Sequence, residues 1–315
     1  MELHSDGIET RVLSLTNPTL PLALSDLLVE LERCSNGVGV VSSDLQAEIK
    51  ENAEQNPSFR VFSDFMFAFP ADRDQLGLTP SLDDVDYLVE EAAECQATMQ
   101  SESGWNMMVH HPLLHMAVYG RRRRNQLVGF APCTTAKIIR EYLPTNLQAK
   151  MVDFCIYIMP ETDDITFNAT KRLRGVLPCN VINHTDFPPL RSRPIAVSIE
   201  TKRRGGAQLA TAELQLGIWH AAQWKLLEDL VARSGGSFDG LPFLPAIVVQ
   251  GHDWSFAATT REERNTVLWL ERGFGSTSSH LGVYKTIWGL QRLAQWASNV
   301  YWPWFKKNAL DISDG

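Results

Sequence analysis

The 315-residue chain predicts an α/β fold, a central mixed β-sheet flanked by helices. Beyond about residue 80 the hydrophobic period runs helix, strand, strand, helix, strand, the order of a layered α/β domain. Two of those strands carry acids or a lysine where a strand buried on both faces would be apolar throughout. The composition, 44% hydrophobic and 21% charged, supports a sizeable core and excludes disordered, collagen-like and coiled-coil classes.

From Met1 to about Pro80 the sequence predicts a mainly helical, acidic extension packed on the core. It holds helices over Leu22 to Arg33 and Ser43 to Gln55, then an aromatic run from Phe59 to Phe69. The domain proper is expected over 81–315. Ser81 to Tyr119 predicts helix, opening at Ser81 with acids in its first turn as the macrodipole prefers, and bent or divided at Gly104 and Pro112. Trp105, Val109, Leu113 and Met116 form one buried stripe. A short helix is expected to end near Tyr142 and Pro144, followed by a strand over Met151 to Met159 with Asp153 inside it.

Pro160 to Pro194 reads as a long loop or hairpin. The next strand, Ile195 to Arg203, alternates so that Ile195, Val197, Ile199 and Thr201 face one way and Ala196, Ser198, Glu200 and Lys202 the other. Leu209, Ala212, Leu216, Trp219, Gln223, Leu226 and Leu230 mark a strong amphipathic helix, closed by Gly235-Gly236. Strands follow over Pro245 to Gly251 and Thr266 to Glu271, then a terminal helix over Leu281 to Trp302. Eight of the nine tryptophans fall at or after Trp219, so a dense aromatic core or pocket wall is expected there.

No run reaches the roughly 18 to 20 apolar residues that cross a bilayer, and Met1 to Thr10 carries acids rather than a basic leader, so no membrane partner is expected. Five cysteines form no C-x-x-C pair, which points away from a disulfide framework or a cysteine-rich zinc site and toward an intracellular protein, cytoplasmic or nuclear. The net charge of −8 is divided unevenly. Residues 1–100 hold 19 acids against 5 bases, the remainder 18 against 24. The basic second part is compatible with an anionic substrate.

The chemistry concentrates in Asp153, Glu200 and Lys202. A mid-strand acid costs several kcal/mol unless a cation or donor sits beside it, so three charged groups on adjacent strands suggest a site. Glu200 and Lys202 share a face, and the Thr201 carbonyl is placed to join Asp153 and Glu200 around a metal. Such oxygen ligands suit Mg²⁺ or Mn²⁺. Lys202 would orient the attacking water or stabilise charge in the transition state.

Val152-Asp153 followed by Ile199-Glu200-Thr201-Lys202 resembles the PD-(D/E)XK nuclease superfamily. The segments around Gly104-Trp105-Asn106, Ile182 to Asp186, Leu214 to Trp219 and Val249 to Trp254 resemble its fungal nuclease-like branch. The likeness covers roughly residues 80 to 305, with Val152 where the motif name has proline. It implies a restriction-endonuclease-like core, a metal-dependent phosphodiesterase activity on nucleic acid, and a helix carboxylate completing the metal site. Glu102 matches that position, with Gln215 a weaker candidate. The resemblance also leaves open a scaffold reused for small-molecule biosynthesis (a cyclase, isomerase or pericyclic catalyst) that needs no metal and has an aromatic pocket for an apolar substrate.

Weaker signals complete the reading. Arg203 and Arg204 are placed to meet a substrate phosphate, and Arg121 to Arg124 either do the same or form a solvated loop. His252 and Trp254, with Asp253, line the pocket mouth or pack in the core. His111 and His115 lack the glutamate of a zinc helix, Cys155 has no partner histidine, and neither a dinucleotide loop nor a P-loop is present. No partner protein is implied.

Overall fold

The computed structural model describes residues 7–120, 126–143, 151–203, 209–262 and 265–312. Arg121 to Arg124, Pro144 and Arg204 lie outside them. The elements of the first part are β1 (Ile8–Val12), α1 (Leu22–Ser35), β2 (Val41–Ser42), α2 (Gln46–Gln55), β3 (Phe67–Ala68), α3 (Pro70–Arg73), α4 (Leu82–Ala97), α5 (Glu102–Trp105) and α6 (His111–Tyr119). There follow β4 (Val128–Pro132), β5 (Phe154–Ile158), α7 (Asp164–Val176), β6 (Ile195–Lys202) and α8 (Leu209–Ser234). The chain ends with β7 (Leu244–Gln250), β8 (Asp253–Glu262), β9 (Asn265–Ser276), α9 (His280–Trp296) and α10 (Trp302–Ala309).

Seven strands form one mixed sheet in the order β1-β9-β8-β7-β6-β5-β4. β6 and β7 run parallel, joined by the crossover helix α8, whereas β4-β5, β5-β6, β7-β8 and β8-β9 are antiparallel. β6 and β7 are buried on both faces; β7 accordingly reads as a near-continuous apolar run, whereas β6 buries Ser198, Glu200 and Thr201 among its apolar residues. The stripe on α8 from Ala212 through Leu216, Trp219 and Leu226 to Leu230 is buried against the sheet, and Trp219 Nε1 donates to Ser198 Oγ of β6 at 3.1 Å.

The N-terminal part is tied into this sheet. β1 adds an edge strand parallel to β9, fixed by Arg11, which donates to Glu262 at 2.6 Å and to Glu9 at 2.9 Å while lying over the Trp269 ring. Arg73 is buried, donating to the Val40 carbonyl and to Gln291 of α9, each at 2.8 Å. Its Nη2 has no hydrogen-bond partner among the described residues, so the buried guanidinium is matched only in part, and burial lowers its pKa to about 10.

Four local expectations are corrected. The helix opening at Ser81, whose side chain forms a capping box with Asp84, stops at Ala97, where Thr98 to Ser101 turn the chain with Met99 at φ 51°. Gly104 lies inside the next short helix. Residues 136–143 form turns and a single bridge from Ile138 to Thr185 instead of a helix. Asp153 immediately precedes β5 rather than lying within it. The region from Pro160 to Pro194 is not all loop, because Asp163 caps α7 by accepting from the Thr166 N–H at 2.9 Å. β1, β4 and β8 were not foreseen.

Two π-helical turns, Asn106–His110 and Ala297–Tyr301, each come two residues before a proline, Pro112 and Pro303. Proline cannot return a hydrogen bond to the carbonyl four residues back and crowds it, so the turn ahead of it widens. The first of these turns carries Asn106 and His110 to the site.

β9 and α9 approach closely at Gly275, where a methyl group would come within 2.7 Å of the Thr286 backbone. Gly275→Ala is expected to destabilise the fold by about 1–3 kcal/mol through overpacking, read as a lowered melting temperature with unchanged secondary structure.

Candidate active site

β5 and β6 bring the acids together. Their antiparallel register pairs Phe154 with Ile199, so Asp153, one residue beyond, stands across from Glu200. The Asp153 N–H still donates to the Ile199 carbonyl at 3.1 Å. Asp153 Oδ2 is held by two donors from Thr201, the backbone N–H at 2.8 Å and Oγ1 at 2.9 Å. Asp153, Glu200 and Thr201 are all buried.

Lys202 closes the group. Its ammonium donates to Glu200 Oε1 and, at 2.9 Å, to the Thr201 carbonyl, and it stands 3.7 Å from Glu102 Oε1. The Thr201 carbonyl, expected to turn toward a metal, is thus engaged by Lys202. Glu102 opens the short helix α5, whose N-cap Ser101 accepts from the Gly104 N–H at 3.1 Å. Glu102, Asp153, Glu200 and Lys202 line a cavity of about 300 Å³ with Asn106 and with Gln215 of α8. Gln215 reaches the Met151 carbonyl at 3.4 Å.

The electrostatics are those of acids held close together away from water. Burial, reinforced by the charge of Asp153, pushes Glu200 up to about 8 despite the opposing pull of Lys202. Burial also raises Glu102, with Asp153 adding to it and Lys202 opposing it. Burial alone would lower the Lys202 ammonium, but the charge of Glu200, its hydrogen bond and then Glu102 hold it above its ordinary value. A proton or cation shared among these oxygens is therefore favoured.

Behind the acids the Asn106 carboxamide is surrounded by partners. As placed, its NH₂ donates to Asp153 Oδ1 at 3.4 Å, and its carbonyl oxygen lies 2.9 Å from the donating Thr201 Oγ1 and 2.8 Å from His110 Nδ1, although nitrogen and oxygen of a carboxamide are told apart only by such contacts. His110 Nε2 meets the Gly251 carbonyl at 3.1 Å. Sequence reasoning placed Asn106 in a family-like segment but not in the site. Its role depends on the π-helical turn, which no hydrophobic period announces; the one local signal was Pro112.

The remaining expectations separate. Arg203 lies exposed one residue beyond β6, where its charge opposes the rise of Glu102. His252 and Trp254 do not line the pocket mouth. Trp254 is fully buried and His252 nearly so, in an aromatic group with Trp105 and His110, and His252 Nδ1 meets Thr277 Oγ1 at 3.1 Å. Trp219 and Trp269 are likewise core. A larger cavity of about 820 Å³, lined by His111, His115, Asp44 and Asp74 among others, contains none of the site acids. It is the roomier space, but the charged groups that interact strongly are in the smaller one.

The chemistry of the donors fits a hard divalent cation. Among the described residues Glu200 Oε2 is buried with no hydrogen-bond partner, and Asp153 Oδ1 has only the long 3.4 Å contact to the Asn106 carboxamide. Both are oxygens of the kind Mg²⁺ and Mn²⁺ prefer. Among the described residues the acids do not make a closed three-ligand cluster. The Lys202 ammonium supplies the positive charge between Glu102 and Glu200 instead.

A mixed sheet carrying an aspartate opposite a Glu-x-Lys strand, with a helix carboxylate beside them, defines a restriction-endonuclease-like domain. A family model described as the PD-(D/E)XK nuclease superfamily matches residues 48–302, and the chain belongs to that superfamily. The match begins within α2. No curated protein and no solved structure matches the chain. No helix among the described residues is long and apolar enough to cross a membrane.

Proposed function

We propose that the chain is a metal-dependent, nuclease-like phosphodiesterase acting on nucleic acid. The observation that carries this reading is the unpaired, buried Oε2 of Glu200 beside Asp153 and Lys202, in a superfamily whose chemistry uses such a group. Asp153 and Glu200 would hold Mg²⁺ or Mn²⁺, with Glu102 contributing directly or through water. The ion, when bound, would polarise a phosphoryl oxygen and lower the pKa of a water. Thr201 aims Asp153 by giving its Oδ2 two donors. Lys202 holds the attacking water and offers its ammonium to the charge that grows on the phosphoryl oxygens. Arg203 adds positive charge at the exposed rim.

The alternative use as a cyclase or isomerase called for an aromatic, apolar cavity. Three tryptophans of the aromatic-rich second part, Trp219, Trp254 and Trp269, are packed in the core. Three carboxylates and a lysine in a small pocket suit a charged, hydrated substrate better. The fungal branch, whose members the sequence resembles, is the part of the superfamily in which we place the chain.

Calorimetric titration of Mg²⁺ and Mn²⁺ into the metal-free protein is expected to show one site that Asp153→Asn and Glu200→Gln each weaken at least tenfold. Cleavage of single- or double-stranded nucleic acid should require the same ion. Absence of binding by the unaltered protein would overturn the reading.

A further inference from the structure

Two separate donor and acceptor counts around Asn106 lead to the same result. His110 Nε2 stands 3.1 Å from the Gly251 carbonyl, which can only accept, so Nε2 carries the proton. His110 is buried among Trp105, Trp254 and His252 with no carboxylate contact among the described residues, and an imidazolium there would be an uncompensated buried charge. A neutral ring has only a lone pair left at Nδ1, so the Asn106 atom 2.8 Å away must be a donor.

The second count concerns Thr201. Its single hydroxyl proton lies between two neighbours at 2.9 Å, Asp153 Oδ2 and the same Asn106 atom. Asp153 Oδ2 is an acceptor, so the proton goes there and the Asn106 atom again must donate. One NH₂ group, with two hydrogens, satisfies both His110 and Thr201. Which end of a carboxamide is nitrogen is decided by such networks.

We propose that Asn106 turns its carbonyl oxygen into the pocket, 3.4 Å from Asp153 Oδ1, making a pair of oxygen acceptors that serves as part of the cation site, with His110 as the positioning residue that fixes this orientation. Two oxygens at that separation cannot bond each other and call for a shared positive partner. The ligand role rests on the metal-dependent reading above; the orientation does not. Asn106 thereby supplies a neutral oxygen donor beside the charged ones, from the π-helical turn between α5 and α6.

The test pairs a tautomer measurement on the metal-free full chain with Mg²⁺ titrations. Nitrogen-15 NMR should show His110 as the neutral Nε2–H tautomer; an Nδ1–H tautomer or an imidazolium at pH 7 overturns the orientation. Asn106→Leu, which lacks any oxygen, should weaken Mg²⁺ binding at least tenfold, whereas Asn106→Asp, which still presents an oxygen to the pocket, should bind within about threefold of the unaltered protein or more tightly. Equal affinity in Asn106→Leu overturns the ligand role. If Asn106→Leu does not fold, weak binding by a folded Asn106→Asp overturns it as well. No Mg²⁺ binding by the unaltered protein overturns the metal-dependent reading and the ligand role with it, while the tautomer still decides the orientation.

Discussion

Replacing Lys202 with alanine is expected to lower metal-dependent phosphodiester cleavage by about 10²–10³-fold, the usual loss when one positioned stabiliser of transition-state charge is removed. The ammonium is the one side-chain cation that bridges Glu200 and Glu102 among the described residues, and it donates to the Thr201 carbonyl as well. Without it Glu200 loses the charge that opposes its upward shift, so the acid holds its proton more tightly and Mg²⁺ affinity should fall too. The turnover loss should persist at saturating Mg²⁺, which separates a role in the reaction from a role in holding the ion. Lys202 stands at the end of β6 with its side chain largely buried, but Glu200 can keep its proton once the ammonium is gone, so the melting temperature should move by a few degrees at most. Cleavage within threefold of the unaltered protein at saturating metal would remove Lys202 from the proposed chemistry.

The elements legible in the sequence were those whose burial is local and periodic. β6, β7, α8 and α9 each carry a continuous apolar run or stripe, and the Ser81 capping box states its own helix start. β1 and β8 were not legible for a different reason. The segment IETRV gains its strand only by pairing with β9, more than 250 residues away in the chain, and β8 mixes hydroxyl and small residues that become buried between β7 and β9. α7 packs lightly through small and hydroxyl residues, Thr166, Ala169 and Thr170, while its larger apolar residues Ile165, Phe167 and Val176 stay exposed, so no core-facing stripe of large residues marks it.

The site divides in the same way. Asp153, Glu200 and Lys202 stand out because a charged residue in an apolar run violates a strong rule, and the register of β5 on β6 then places two of them across from each other. Asn106 and Thr201 violate nothing. A polar residue on a helix and a threonine in a strand are ordinary, and their part emerges only when the π-helical turn sets one against the other at 2.9 Å. For His252 and Trp254 the sequence left pocket mouth and core both open, since residues just past a strand end resemble pocket residues until neighbouring elements cover them, and the structure packs them in the core.

Glu200→Gln is expected to make the metal-free protein more stable at alkaline pH, with the gain vanishing in acid. Burial raises the folded-state Glu200 to about 8, while the unfolded chain titrates near the ordinary 4.5. Between those values the folded state keeps a proton that the unfolded state has lost, so stability falls as pH rises through this window and levels off above it. The full shift corresponds to at most about 4–5 kcal/mol. Relaxation and water entry around the ionised carboxylate reduce this penalty, so a difference of about 1–3 kcal/mol, or roughly 2–5 °C in melting temperature, is the expected reading at pH 8.5. At pH 5 the two proteins should melt together. Mg²⁺ reverses the sign, because it takes the ionised carboxylate: its stabilisation of the unaltered protein should grow from pH 6 to 8.5 and be largely absent in Glu200→Gln. Melting curves at pH 5, 7 and 8.5, with and without Mg²⁺, read both effects. Parallel profiles for the two proteins would mean that Glu200 is ionised and fully compensated without metal, and that its unpaired oxygen is not what draws a cation to the site.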